Sequence, residues 1–130
     1  MGIGCDLMVI DDSGTRRWYT DGMLHRVDGA AIEWIGGGRD WYVRGKRHRE
    51  DGPSIETASY QGWFCHGVRH REGGPAIEST DSYRIWYLNG KKHRIDGPAV
   101  EFRDGSCRWY YHGVEYSEVE HQMKVFFEIC

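Results

Sequence analysis

Four copies of a His-Arg pair are the residues of this sequence best suited to chemistry. They are His25-Arg26, His48-Arg49, His70-Arg71 and His93-Arg94. In three copies an acid follows after one residue, as Asp28, Asp51 and Asp96. A His beside a carboxylate suits general acid-base catalysis, and several His side chains together suit a metal ion. An enzyme using one such pair is therefore one hypothesis for this chain.

The regular recurrence of these pairs favours a structural role instead. They return every 22 or 23 residues, whereas a catalytic site is one asymmetric group of residues. Neighbouring copies are expected about two strand spacings apart, roughly 9–10 Å, which is too far for two His to share one metal ion. We therefore expect the His to bond the backbone or the following Asp, and we predict no catalytic residue, no metal site and no cofactor. The acids Glu33, Glu56, Glu78 and Glu101 are expected to pair with the nearby Arg or His.

The pairs belong to a repeat that covers most of the chain. Its first residue is a Trp, found at Trp18, Trp41, Trp63, Trp86 and Trp109. The consensus is W-[YF]-x-x-G-x-x-H-R-x-[DG]-G-P-A-[IV]-E, and the fifth copy keeps only its first half. So many matched positions in four copies indicate a repeat architecture.

Each repeat is expected to form strands joined by two turns. Pairs such as Asp21-Gly22 and Asn89-Gly90 favour a tight hairpin turn, and a second turn precedes each Trp, for example at Gln61-Gly62. The fold predicted for residues 7–116 is all-β: a single elongated, twisted antiparallel sheet of about five stacked hairpin repeats, with about ten strands. We expect the Trp row to pack on the core side with the Ile and Val of each repeat, and the neighbouring Tyr row on the other face.

Residues 117–130 depart from the repeat. Ser117 and Glu120 form a capping-box pattern, which predicts a short C-terminal helix. The alternation of the last six residues leaves a strand as the alternative. The apolar side chains of this segment are expected to cap the chain's own sheet or to pair with a second copy as a homodimer; they are Val119, Met123, Phe126 and Phe127.

Length and composition narrow the classes of protein. The chain has 130 residues, enough for one domain spanning 1–130, with 18 Gly and a net charge of −3, so the chain as a whole has no basic excess for nucleic acid or anionic lipid. No apolar stretch is long enough to cross a membrane, and a cytoplasmic location is expected. Cys5, Cys65, Cys107 and Cys130 form no CxxC pair and are predicted to be free thiols.

The repeat resembles MORN repeats, and it is closer still to a bacterial and phage variant that reads W-Y-x-N-G-K-x-H-R-x-D-G-P-A. Residues 86–99 match that form at every fixed position. The resemblance implies stacked hairpins and a scaffold or binding role. A small phage or prophage inhibitor that blocks a bacterial defence protein of the CRISPR type, or a toxin, is the specific function expected from it.

Positions that differ between repeats are the better candidates for binding. Basic residues near the hairpin turns form a predicted basic ridge: Arg44, Lys46, Arg47, His66, Arg69, Lys91 and Lys92. Tyr42 and Tyr87 belong to the neighbouring aromatic row, which is expected to be exposed and to form a second partner-binding surface. The opposite turns carry Asp11, Asp12, Asp81 and Asp104. The ridge is expected to dock a protein partner; nucleic acid or an anionic lipid surface is the alternative ligand, and charged turns that only keep the sheet soluble are the simplest explanation.

Overall fold

The computed structural model describes residues 6–129, which form eighteen short strands and one helix. The chain divides into two compact units, Met1–Val68 and Arg69–Cys130. The strand pairings whose register is described in these units are antiparallel. The predicted all-β fold of antiparallel hairpins with a C-terminal helix is confirmed.

The first unit contains most of the strands. They are β1 (Asp6–Ile10), β2 (Arg16–Thr20), β3 (Met23–Leu24), β4 (Ile32–Glu33), β5 (Arg39–Asp40), β6 (Tyr42–Val43), β7 (Lys46–Arg47), β8 (Ile55–Glu56), β9 (Tyr60–Gly62), β10 (Phe64–Cys65) and β11 (Val68–Arg69), whose last residue begins the second unit. The main ladder runs β1-β2-β4-β5-β8-β9, and β3 also pairs with β2. The hairpin β6-β7 stands apart as a two-stranded sheet.

The second unit repeats this arrangement and ends in the helix. Its elements are β12 (Ile77–Ser79), β13 (Tyr83–Ile85), β14 (Tyr87–Leu88), β15 (Lys91–Lys92), β16 (Val100–Phe102), β17 (Cys107–Tyr111), β18 (Val114–Tyr116) and α1 (Glu118–Ile129). The ladder runs β12-β13-β16-β17-β18, and β14-β15 is a separate hairpin.

The strands are shorter and more numerous than the ten expected because the ladder breaks at the Trp of the repeat. Trp41 lies between β5 and β6, and its N–H donates to the carbonyl of Ser54 at 2.7 Å. Trp86 lies between β13 and β14, and its N–H donates to the carbonyl of Ala99 at 2.8 Å. The chain then leaves the main ladder to form the small hairpin.

The hairpin turns have the predicted geometry. In the turn Asn89-Gly90 both residues have positive φ, 50° and 81°, as a tight two-residue turn between strands requires. The expected turn at Gln61-Gly62 is wrong, because both residues lie in β9. The chain reverses just before them instead, where the N–H of Thr57 donates to the carbonyl of Tyr60 at 2.8 Å.

Small residues, rather than the Trp row, form the most buried positions. Ala31, Ala76 and Ala99 are fully buried, and the adjacent Ile or Val is nearly so. The Trp side chains are only half-buried, so the expectation of a Trp core needs correction. The most buried part of these three repeats is therefore the Ala and the Ile or Val that follows it.

The helix α1 begins at the predicted capping box. The N–H of Glu120 donates to Oγ of Ser117 at 3.2 Å, and that hydroxyl donates to the Glu120 carboxylate at 2.8 Å. The alternative of a strand over the last six residues is wrong for those that the structure describes. The helix packs against β17 and β18.

Candidate binding surface at the hairpin turns

The His of each repeat is a backbone acceptor. Its Nδ1 accepts the N–H of the positive-φ turn residue in the next hairpin, which lies 18 or 19 residues further along the chain. The four bonds measure 2.9–3.0 Å and join Arg44 to His25, His66 to His48, Asn89 to His70 and His112 to His93. Since Nδ1 accepts, the neutral ring carries its proton on Nε2. The expected bond from the His to backbone is confirmed, although the backbone group belongs to the next hairpin turn and not to the connector.

The Arg beside each His is the centre of the connector. The guanidinium Cζ of Arg94 lies 3.9 Å from the centre of the Trp86 ring. Its Nε donates to Asp96 at 3.0 Å, and its Nη1 donates to the carbonyl of Pro98 at 3.1 Å and to Glu101 at 2.7 Å. A cation over an indole face adds to these charge-assisted bonds. One side chain thereby fixes the Trp, the connector turn and the next strand.

Arg26 and Arg49 repeat this arrangement with Trp18 and Trp41, and all four Glu of the ladder lie 2.7–3.8 Å from their Arg. The expected pairing of the Glu ladder with Arg is therefore confirmed. Arg71 departs from the pattern because Gly73 stands where the other repeats have Asp. It keeps the carbonyl bond to Pro75 at 3.0 Å.

The second Gly of the connector leaves room for this guanidinium. A Cβ placed on Gly97 would lie 2.7 Å from Cζ of Arg94, and the other three repeats give 2.9–3.0 Å. Any side chain there would push the Arg away from its Trp. The Asp-Gly motif is thus explained by the Arg packing.

The carboxylates that suggested catalysis are bound to Arg instead. The Asp carboxylate of the connector accepts from Arg Nε at 2.9–3.0 Å in the three repeats that have it. Among residues 6–129 no His-Asp hydrogen bond is formed in a connector. Two of the His lie near an exposed Glu instead, with Nε2 of His48 3.5 Å from Glu50 and Nε2 of His70 3.6 Å from Glu72.

One cluster in the first unit has the residue types of a metal site. The ligand atoms of His48, Cys65 and His66 lie within 4.8 Å of one another. However, the two imidazole rings are stacked, with centres 4.1 Å apart and planes at 19°, so their lone pairs do not converge. If Nε2 of His48 bound a metal, its proton would move to Nδ1 and face the N–H of His66. The cluster is therefore better explained as ring packing, and His93 packs on His112 in a similar way, with centres 4.2 Å apart.

The basic ridge divides into exposed and half-buried cations. In the first unit Arg44, Lys46 and His66 are exposed. Arg47 is half-buried, with Cζ 5.5 Å from the Tyr42 ring and 5.7 Å from the Phe64 ring, and Nη2 3.5 Å from the buried carboxylate of Asp40. Arg47 and Tyr42 therefore stabilise the hairpin, whereas the other three remain accessible.

The second unit shows the same division. Arg69 and Lys91 are exposed, although Arg69 also lies over the Tyr87 ring at 5.5 Å. Lys92 is half-buried, with Nζ 5.0 Å from the centre of the Tyr110 ring. The aromatic row is thus half-buried and partly covered by cations, and not the open contact surface expected.

Neighbouring hairpins are joined through their turns. The N–H of each turn Gly donates to a carbonyl of the preceding hairpin at 2.8 Å, as from Gly67 to Arg47 and from Gly113 to Lys92. A Cβ placed on Gly67 or Gly113 would lie 3.5–3.7 Å from the carbon chain of Lys46 or Lys91, respectively. The two ammonium groups therefore project beyond a fixed backbone.

The first unit also contains an open cleft of about 840 Å³ beside this ridge. Two successive connectors form its sides, and Trp41 and Val43 contribute apolar surface. His48, Glu50 and His66 add polar groups to its lining. The cleft lies within reach of a partner that contacts the exposed turns.

The acidic turns are partly used in folding. The Ser13 hydroxyl and then Arg17 hydrogen-bond Asp11 and hold the pKa of its carboxyl well below its usual range. Asp104 accepts from the hydroxyl and N–H of Ser106, which likewise lower its pKa. The remaining acid with a described partner, Asp81, lies 3.4 Å from Arg103. Asp11 is half-buried, whereas Asp12, Asp81 and Asp104 are exposed.

The helix covers the last hairpin with a residue that the sequence analysis missed. His121 is 1% exposed; its Nε2 donates to the carbonyl of Arg94 at 2.6 Å, and its ring lies 5.1 Å from Trp109. Trp109 has Ser117 eight residues later, where the complete repeats have Arg. A Trp without its Arg, followed by a His one helical turn after Ser117, is the sequence signal that could have predicted this contact.

The apolar side chains expected to cap the sheet face outwards. Val119, Met123, Phe126 and Phe127 are 53–71% exposed. They form a stripe on the side of α1 away from His121, so their predicted capping role is wrong. Their pairing with a second copy stays a prediction.

Cys65 and Cys107 are free thiols, as predicted, and both are exposed. Cys5 and Cys130 lie outside the described residues. No helix in the described part of the chain is long and apolar enough to span a membrane.

Comparison of the chain with protein-family models, with curated proteins and with solved structures gives no match. The resemblance to MORN repeats stays a prediction that rests on the motif.

Proposed function

We propose that this chain is a non-catalytic module that binds an acidic protein surface through the exposed cations of its hairpin turns. The observation that supports this most directly is that the shared residues of the repeat make internal contacts while the variable residues are exposed. The shared His, Arg, Asp and Glu bond one another and the backbone, whereas Arg44, Lys46 and Lys91 project into solvent from positions that differ between repeats.

Charge and anchoring both favour this surface. The exposed ammonium and guanidinium groups stand on hairpins tied to their neighbours by backbone hydrogen bonds. A partner therefore meets cations on a preorganised frame, which lowers the entropic cost of binding. Complementary charge of this kind mainly accelerates association and selects the partner.

More specifically, the partner is a bacterial defence protein of the CRISPR type, or a toxin. The chain inhibits this partner by covering its working surface. This step rests on the resemblance to phage repeats. It requires no catalysis, since occupying the surface is sufficient to inhibit.

The test is affinity capture from a bacterial lysate, followed by binding measurements with each purified candidate. We expect a candidate that binds more tightly than about 100 μM, with affinity at least tenfold weaker for Arg44→Glu/Lys46→Glu and for Lys91→Glu. Arg108→Glu is the matched control, because Arg108 is exposed on β17 away from the turns. Unchanged binding by the turn variants would show that the ridge is not the site.

Nucleic acid or an anionic lipid surface is the second candidate, favoured by cations beside aromatic rings such as Lys92 beside Tyr110. It predicts binding of a short single-stranded oligonucleotide, or of anionic vesicles, that weakens steeply with salt. Tight binding of either probe by the native chain, lost in the same turn variants, would replace the protein-partner proposal.

A further inference from the structure

The first strand, β1, has an open edge. Within residues 6–129 it pairs with β2 alone and is the outermost strand of its ladder. Its register is fixed by the pairs Met8–Trp18 and Val9–Arg17. The other edge of β1 therefore presents main-chain groups that no described strand uses.

The register identifies these groups. The N–H of Asp11 donates to the carbonyl of Thr15 at 3.1 Å, so this pair is a hydrogen-bonded one. Because such pairs alternate along an antiparallel ladder, Val9 and Leu7 also bond to β2. The main-chain N–H and C=O groups of the alternate residues then point outwards; these residues are Asp6, Met8 and Ile10. In agreement, Trp18, opposite Met8, turns its N–H away from β1 and donates to Ala31 at 2.8 Å.

Both faces of β1 are apolar and exposed. Leu7 is 59% exposed and Val9 40% on one face, and Met8 is 44% exposed and Ile10 54% on the other. Natural edge strands usually avoid this combination by carrying charges or Pro. Open backbone groups between two apolar faces fit one kind of occupant, another extended strand.

We propose that this occupant is β1 of a second copy of the chain, paired antiparallel about a two-fold axis at Met8. Met8 then faces Met8, and Asp6 faces Ile10 of the second copy. In each of these pairs both residues have outward main-chain groups, so each pair exchanges two hydrogen bonds. The symmetric register thus satisfies every outward group of Asp6, Met8 and Ile10.

Charge complementarity favours a second copy over an unrelated strand. Arg16 of β2 lies opposite Ile10, is exposed and forms no ion pair among the described residues. In the proposed pair, Asp6 of the second copy lies two strands from Arg16 on the same face, roughly 9–10 Å between backbones, which Arg and Asp side chains can span. The symmetry forms this ion pair twice, whereas an unrelated strand would have to supply its own acid.

The first test measures the average mass of the chain by sedimentation or light scattering across a range of concentrations. We expect it to rise from one chain towards two. Met8→Pro removes an N–H that points only outwards, so the β1-β2 pairing is retained while the dimer dissociation constant rises at least tenfold. Met8→Val keeps the N–H and is the matched control. A native chain that stays monomeric at high concentration would overturn the proposal.

The second test determines the register of the β1-β1 pair by disulfide cross-linking. It uses a chain whose four native Cys are replaced by Ser. Met8→Cys should form an intermolecular disulfide, because facing Cα atoms of a hydrogen-bonded pair are about 5.5 Å apart. Ile10→Cys should not, since the two substituted residues would be offset by about 13 Å along the strands. Equal cross-linking of both variants, or none by Met8→Cys, would contradict the two-fold register. This test also decides the question if Met8→Pro fails to fold.

The third test distinguishes a dimer formed through β1 from a dimer formed through the apolar stripe of α1. Arg16→Asp should weaken the dimer, and the double change Arg16→Asp/Asp6→Arg should restore it. Phe126→Ser/Phe127→Ser should leave the dimer unchanged. If the helix variant abolishes association and the strand variants do not, the stripe of α1 is the interface and the proposal for β1 is wrong.

Discussion

The two terminal elements of the described chain differ in how they end their ladders. At the C-terminal end, α1 packs on β17 and β18, and His121 covers Trp109 in place of the missing Arg. At the N-terminal end, β1 leaves apolar side chains and one main-chain edge exposed. A ladder of repeats can therefore end by imitating its own internal contacts or by keeping a strand edge available to another strand.

The substitution His121→Ala tests most directly whether the helix caps the C-terminal ladder. This change removes a buried ring and leaves the carbonyl of Arg94 without its donor, so we expect a loss of about 2–3 kcal/mol in the free energy of unfolding. His121→Gln, whose amide can still donate, should lose less. Denaturant unfolding of the three chains measures both. A loss below about 0.5 kcal/mol for His121→Ala would show that the helix does not cap the ladder.

Acid should weaken the C-terminal end before the N-terminal turn. Burial, and then His112 and His121, lower the pKa of His93 below its ordinary value of 6.5. Below about pH 6.5 the unfolded chain therefore binds a proton more readily than the folded one, and stability falls as the pH decreases. The lowered pKa of Asp11 acts only at lower pH, since its stabilisation is lost below its ordinary value of 3.8.

Thermal unfolding between pH 7 and pH 3 measures this difference. His93→Asn is the matched control, because an Asn oxygen can still accept the N–H of His112 but does not titrate. We expect its profile to be flatter near pH 6. A native profile that is already flat between pH 7 and pH 5 would contradict the role of His93.

The smallest effect is expected from the apolar stripe of α1. Phe126→Gln/Phe127→Gln should change the free energy of unfolding by no more than about 0.5 kcal/mol, because both rings are more than half exposed. Denaturant unfolding at low protein concentration tests this. A larger loss would mean that these rings do pack on the ladder and that His121 is not the main contact of the helix.

The sequence predicted local structure correctly where a residue type strongly favours one backbone conformation or one capping role. Asn-Gly and Asp-Gly predicted the turns because few residues accept positive φ, and the Ser117-Glu120 pattern predicted the helix start. It was less informative where a contact joins distant residues. The choice of His Nδ1 as acceptor for a turn 18 or 19 residues away depends on strand stacking that no local pattern encodes.

The packing of the helix on the ladder could not be predicted from local pattern either. Its apolar face suggested the packing side, but the residue that packs is the polar His121, because the ladder offers it an uncovered indole and a free carbonyl. At the candidate site the basic residues could be chosen from the sequence. Which of them are exposed could not, since Arg47 is held by Asp40 and two rings only after the hairpin forms.

The imidazole bond to each hairpin turn also leaves that turn open to diversification. The His binds only a peptide N–H, so Arg44, His66, Asn89 and His112 share one backbone conformation although they are three residue types. Substitution there carries the cost of positive φ for a side chain, about 1 kcal/mol, and at His66 and His112 it also removes the ring packing on His48 and His93. A library that varies these positions together would present different chemistry on one unchanged framework, which makes the chain a candidate scaffold for engineered recognition.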